Sequence, residues 1–184
     1  MSENKAAGEG PPRDGGSQQQ GAAQRRTTVT PSPGEGGGGR DVSIPEGFKP
    51  IKRGGPFLTS LGPLYYRREG EGLIIAIRVE ERHLNTRGIA HGGMLMTLAD
   101  SALGIALANT SNPPQPMVTV SMSTDFLQVA SAGDWLEAKV NIDRVGKRLA
   151  YALCYLYVGE RSILRASGVF AVVSPAKPKE SFEG

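Results

Sequence analysis

GGMLMTLADSALGIALA, residues 92–108, holds one ionisable side chain, Asp100, among residues that are otherwise apolar or small. A run of this length and composition reads as a helix apolar on all its faces, and such a helix is buried inside a soluble domain. It falls short of the roughly 20 apolar residues of a membrane span and is interrupted by an acid and by glycines. Met96, Thr97, Leu103 and Gly104 stand three and four residues from Asp100, so its own helix offers no charge partner. A buried carboxylate is costly unless it is paired, hydrogen-bonded or in use. Asp100 is therefore a candidate catalytic group.

On the N-terminal side of this helix, LGPLYYRRE (61–69) and GLIIAIRVE (72–80) read as two strands joined by a tight Gly-Glu-Gly turn. ERHLNTRGIAH (81–91) is a polar connection, in which His83 is expected to face solvent. After the helix, the prolines at 113, 114 and 116 forbid continuation. Four runs rich in β-branched and aromatic residues follow, at 117–129, 134–145, 148–158 and 161–173. The short breaks between them predict consecutive antiparallel neighbours, a meander. A helix apolar all round must be wrapped by a curved sheet, or covered by a second subunit as well. The fold expected is α+β, the hotdog arrangement of an antiparallel sheet around one long central helix.

Composition divides the rest of the chain. Residues 1–44 are expected to be a disordered Gly/Pro/Gln-rich arm, because residues 1–40 contain no Phe, Tyr, Trp, Ile or Leu. The arm lacks the apolar core of a secretory signal, and its acids Glu3, Glu9 and Asp14 argue against a transit peptide. Residues 45–175 have the length of one domain, and 176–184 read as a flexible tail. The single cysteine, Cys154, excludes an internal disulfide and lies in a strand-like segment, which predicts a buried thiol. Cytoplasmic residence is the default that follows. A net charge of +3, with basic residues scattered among acids, does not describe a nucleic-acid binder. No cluster of residues points to a metal or a cofactor.

The chemistry concentrates around NTRGIAHGG, residues 85–93. Two glycines at a helix N-terminus let a ligand approach N–H groups that lack intrahelical partners, at the positive end of the helix dipole. Such groups suit a carbonyl oxygen that becomes negative in a transition state. His91 beside them can donate to or orient the same oxygen. Asp100 lies about 10–13 Å along the helix, too far to serve one reacting centre within one chain. The distance becomes short when two helices meet across a dimer axis, each giving its Asp to the other's Gly-Gly turn. A homodimer or homotetramer with shared sites is expected.

The pattern N-x5-HGG-x6-D on one buried helix, followed by the strand TVSMSTDFL, resembles the hotdog-fold acyl-CoA thioesterases of the PaaI-like and thioesterase-superfamily-member-2 type. The resemblance covers roughly residues 55–173 and implies hydrolysis of an acyl-CoA thioester. It assigns Asp100 as nucleophile or general base, and the Gly92 amide as the group that polarises the carbonyl. Asn85 and His91 are placed around the leaving side, and Thr119 where a hydroxyl helps to position water. Gly93 and the basic hairpin Arg144, Lys147 and Arg148 are candidate substrate contacts, the latter for the coenzyme A phosphates. Hotdog dehydratases and hydratases, or a non-catalytic acyl-CoA-binding module, are the alternatives. Retention of His91, Gly92 and Asp100 together favours catalysis, since binding alone needs no carboxylate there.

Overall fold

The computed structural model describes residues 43–52, 54–70 and 72–173. The expected arm up to residue 42 and the tail from 174 lie outside them. Strand β1 (Lys49–Pro50), helix α1 (Gly55–Leu61) and strands β2 (Leu64–Glu69) and β3 (Gly72–Arg78) precede the long helix α2 (Gly92–Ala108). Strands β4 (Met117–Phe126), β5 (Trp135–Val145), β6 (Leu149–Val158) and β7 (Arg161–Val172) follow it. All seven strands form one antiparallel sheet in the order β1-β2-β3-β5-β6-β7-β4. Helix α2 touches β3, β4, β5, β6 and β7, so the sheet curls around it. This is the hotdog arrangement.

The expected meander holds only for β5, β6 and β7. Strand β4 pairs with β7 at the far edge, and β5 pairs with β3 instead. Ser131-Ala132-Gly133 looks like a hairpin turn in sequence, but the whole connection from Leu127 to Asp134 crosses the end of the sheet. Eight residues reach about 26 Å when extended, ample for the three strand spacings of about 4.8 Å to be crossed. The crossing is tied down on both sides. Ala90 N–H donates to Ala130 O (2.8 Å), Gly133 N–H to Val79 O (2.7 Å), and Arg161 Nη1 to Val129 O (3.0 Å).

Small residues set how closely helix and sheet approach. Ala150, Ala152, Ala166 and Gly168 turn inward from β6 and β7, and all are buried. Leu98, Ala102 and Leu103 of α2 pack on them with no exposed surface. At Gly168 the fit is tightest: a Cβ there would lie 2.7 Å from Phe170 Cε2 and 2.9 Å from Leu103 Cδ1. Each fully buried leucine in this layer contributes about 1.5–3 kcal/mol.

The helix is not buried on every side, contrary to the reading of its composition. Gly93, Met96, Thr97, Asp100, Ser101 and Gly104 form a stripe that stays partly open, because the sheet covers only the opposite face. On the sheet's other face, Phe48, Ile74 and Ala76 form a second apolar cluster with Tyr65 and Trp135. Phe48 meets Trp135 edge-on at 5.2 Å, and the Arg78 guanidinium lies 5.0 Å from the indole centroid. Trp135 is a packing anchor, as its place at a strand start suggests. Arg78 also donates to the Ser43 carbonyl, which holds the segment before Phe48 against this face.

Candidate active site

His91 is the residue that starts α2. Its backbone is extended (φ −66°, ψ 134°), and its Nδ1 accepts from Gly93 N–H at 2.9 Å. That bond requires an unprotonated Nδ1, which leaves Nε2 carrying the proton on an exposed ring. A Cβ at position 93 would stand 3.1 Å from Nδ1, so glycine is what lets the cap close. Gly93 N–H is thereby occupied. Gly92 N–H has no hydrogen-bond partner among the described residues, and the Phe126 ring covers the space a side chain there would fill (3.2 Å). One unpaired donor therefore remains at the positive end of the helix.

The turn is braced from behind by His83. This histidine is 4 % exposed, not the solvent-facing residue its polar surroundings suggest. Its Nδ1 accepts from Glu80 N–H (2.9 Å), its Nε2 lies 2.6 Å from Leu61 O, and its own carbonyl accepts from His91 N–H (2.8 Å). With Nδ1 accepting, Nε2 is the donor to Leu61 O. His83 thus links the end of α1 to the start of α2. Nothing in hydrophobic periodicity marks it; only tertiary hydrogen bonding does. Asn85 serves its own loop, its Oδ1 accepting from Arg87 N–H at 2.8 Å, and within one chain it does not line the cavity of Asp100.

Asp100 is half-buried rather than sealed in the core. Thr119 Oγ1 on β4 donates to its Oδ1 at 2.7 Å, a short charge-assisted bond across helix and edge strand. The neighbouring hydroxyls are turned away. Thr97 donates to Gly93 O (2.9 Å) and Ser101 to Thr97 O (2.7 Å). Asp100 is left as the polar acceptor of a cavity of about 580 Å³ whose walls include Phe57, Met96, Met117, Met122 and Phe170. A half-buried carboxylate held by one hydroxyl, with lone pairs to spare, can bind and deprotonate water or attack an electrophilic carbon directly.

The structure thus brings Asp100 and Thr119 together, and His91 and Gly93 together, but keeps the pairs apart. Eight residues of α2 separate Gly92 from Asp100, about 12 Å. Arg144, Lys147 and Arg148 lie at the β5–β6 hairpin, two strands and about 10 Å across the sheet from β4. They are exposed and carry no ion pair among the described residues. Cys154 is buried on β6, and removal from water pushes its thiol up to about 12. Among the described residues no three metal-ligating side chains cluster, and no helix is long and apolar enough to cross a membrane.

Known proteins resemble this chain in sequence and in fold. A profile of the thioesterase superfamily matches residues 87–163, which run from the Gly-Gly turn to β7. The candidate esterase PA0474 of Pseudomonas aeruginosa is 48 % identical over 130 residues, covering 70 % of this chain and 97 % of that protein. Acyl-coenzyme A thioesterase 13 of Homo sapiens is 30 % identical over 110 residues, 59 % of this chain and 78 % of its own. Among solved structures, the TT0310 protein from Thermus thermophilus is 28 % identical with a TM-score of 0.57, over 64 % of this chain and 97 % of that one. Zebra fish thioesterase superfamily member 2 is 25 % identical with a TM-score of 0.55, over 60 % and 81 %. A hypothetical thioesterase protein with coenzyme A from Streptococcus pneumoniae TIGR4, at 22 % identity and a TM-score of 0.56 over 62 % and 88 %, shares the fold. With a relative 48 % identical over nearly its whole length, this chain belongs to the thioesterase superfamily.

Proposed function

We propose that the protein hydrolyses acyl-CoA thioesters to the free acid and coenzyme A. The observation that carries this reading is the Asp100–Thr119 pair at 2.7 Å in an apolar cavity, on a helix whose first N–H is unpaired among the described residues. The relatives named as acyl-CoA thioesterases, and the related structure holding coenzyme A, supply the class of thioester.

In one course Asp100 takes a proton from water, and the water oxygen bonds to the thioester carbon. The carbon–sulfur bond then breaks, and the thiolate leaves with a proton. In the other, Asp100 itself bonds to the carbon and expels the thiolate, and water cleaves the resulting anhydride. Both build negative charge on the carbonyl oxygen, which a Gly92 N–H stabilises. Asn85 and His91 belong to the leaving side of the same site. After one turnover in ¹⁸O-water, label in the Asp100 carboxylate establishes the second course with water adding at the Asp100 carbon of the anhydride; label in the released acid alone follows from water adding to the acyl carbon, of the thioester or of the anhydride.

Asp100 and Gly92 of one chain are too far apart to act on one carbonyl, so each site takes its Asp100 from one subunit and its Gly92 from another. Edge strand β4 supports a second copy there, with Val118 and Val120 more than half exposed beside an unpaired strand edge. The basic hairpin of Arg144, Lys147 and Arg148 then faces coenzyme A phosphates from a neighbouring subunit's side. A dimer is the minimum assembly and a tetramer the expected one. Light scattering that found a stable monomer at micromolar concentration would remove the shared site.

Asp100→Asn keeps shape and most hydrogen bonding but cannot accept a proton or attack. Thiol release should fall by about 10²–10⁴, with acyl-CoA still bound by a folded protein. Parental turnover in this variant would overturn the mechanism; loss of fold and binding together would make Asp100 a structural residue.

A further inference from the structure

Next to the cavity that holds Asp100 lies a second, larger chamber of about 980 Å³ against the C-terminal half of α2. Gly104, Ile105 and Met117 line both, so the two share a wall. At Gly104 that shared wall carries no side chain. A Cβ there would find only Phe170 Cε1, at 3.4 Å.

The second chamber is apolar where it is deep, with Ile51, Leu73, Ile75 and Ala108 among its walls. Its mouth carries Lys49, Lys52 and Arg68, exposed and without ion pairs among the described residues. Their carbon stems can extend an apolar wall while their charged heads remain in water. Along the path from Asp100, the Thr97 and Ser101 hydroxyls are spent on helix carbonyls. A polar substituent on an acyl group would meet no free donor there.

We infer that the second chamber receives the distal part of a straight alkyl acyl chain, which passes Gly104 and ends beside Ala108. This rests on the thioesterase reading and names its substrate class. Asp100 and Ala108 are eight residues apart, about 12 Å along α2. An aryl group such as phenylacetyl fills only the first cavity. An extended chain of that span reaches the second and removes apolar surface from water on both sides.

The test is kcat/KM for acetyl-, phenylacetyl-, hexanoyl- and decanoyl-CoA, with the full-length protein and its Ala108→Leu and Ala108→Trp variants. In the parent, each methylene that enters the chamber should raise kcat/KM roughly fourfold, the worth of burying one CH₂. Ala108→Trp should leave acetyl- and phenylacetyl-CoA within about twofold, because neither reaches that turn. It should lower decanoyl-CoA by about 30-fold or more, the equivalent of two to three expelled methylenes. Ala108→Leu, which suits a helix, should fall between the two. A flat chain-length profile in the parent overturns the inference, as does parental decanoyl hydrolysis in a folded Ala108→Trp protein. If the parent hydrolyses none of the esters, the thioesterase reading fails by itself. Calorimetric binding of a decanoyl-CoA thioether, lost in Ala108→Trp, would then still support the chamber; equal binding by both would remove it.

Discussion

Replacing Gly168 by alanine tests how α2 is seated, and through it the position of Asp100. The new methyl carbon would start 2.7 Å from Phe170 Cε2 and 2.9 Å from Leu103 Cδ1. Ordinary carbon contacts lie near 3.5–4.0 Å, so each neighbour must retreat by about 0.6–1.3 Å. Leu103 has no exposed surface and Phe170 only 2 %, so neither has solvent to retreat into. Overpacking of this kind costs about 1–3 kcal/mol, against about 0.4–1 kcal/mol recovered from restricting the unfolded chain. With both neighbours sealed in, the upper part of that cost applies, and the net is about 1–2 kcal/mol. Roughly 130 described residues at about 2.1 cal/mol/K each give an unfolding entropy near 0.27 kcal/mol/K. Tm should therefore drop by about 4–7 °C in a calorimetric or circular-dichroism melt. Ser167→Ala, on the exposed side of the same strand, should move it by less than about 2 °C. Combining Gly168→Ala with Phe170→Leu should cost less than the sum of the two, since the shorter side chain vacates the tighter contact. An unchanged Tm in Gly168→Ala, or strict additivity in the pair, would show that the helix is not held at this distance by these residues.

Other perturbations act closer to the chemistry or to the ends of the fold. Thr119→Val keeps the β-branched shape and removes the sole side-chain donor to Asp100 among the described residues. Thiol release should fall by about 10-fold, less than for Asp100→Asn, because water can replace the hydroxyl at a half-open carboxylate. Cys154 should resist alkylation at pH 8 until the protein is unfolded, measured by mass shift with and without denaturant. Its thiol rises from 9.0 to about 12 on folding, so the native state holds the proton more tightly than the unfolded chain does. That contribution is complete below pH 9 and is lost as pH climbs towards 12; a Cys154→Ala variant should show a shallower alkaline decline in denaturant midpoint. Deleting residues 1–40 leaves the Ser43 and Phe48 contacts in place. Tm and turnover of the shortened chain should equal those of the parent; a large drop in either would mean that the arm docks.

Local patterns were legible where they concern one element at a time. The apolar run begins and ends where α2 does, because a Gly-Gly turn opens it and Asn109 with the following prolines closes it. Strands β5 to β7 follow from alternation and two-residue turns. Strand β4 defeats the same logic, since a three-residue turn signal sits inside an eight-residue crossing whose path is set by Ala90, Val79 and Arg161. Helix α1, with Pro56 near its start, is too short for periodicity to register. Composition also misjudged exposure. A run of small and apolar residues cannot reveal that a sheet covers one face and leaves a stripe for a ligand, and Asp100 stands on that stripe. The Asp100–Thr119 contact joins residues nineteen apart; the family resemblance places a water-positioning hydroxyl at Thr119 but gives no contact with Asp100, whereas spacing alone separates Asp100 from the Gly-Gly turn. His83 shows the opposite failure: a polar residue in a polar segment, buried because two backbone groups and the His91 turn need it.

The chain contains one tryptophan, and it lies on the face of the sheet turned away from Asp100. The Trp135 indole nitrogen is buried without a hydrogen-bond partner among the described residues, between Phe48, Tyr65 and Arg78. Intrinsic fluorescence is therefore a probe of the wrong side of the molecule for ligand titrations, which should leave the emission band nearly still even at saturation. For the same reason it is a clean reporter of the segment around Phe48. Peeling that segment off would wet the indole and shift its emission to the red before circular dichroism registers any loss of helix.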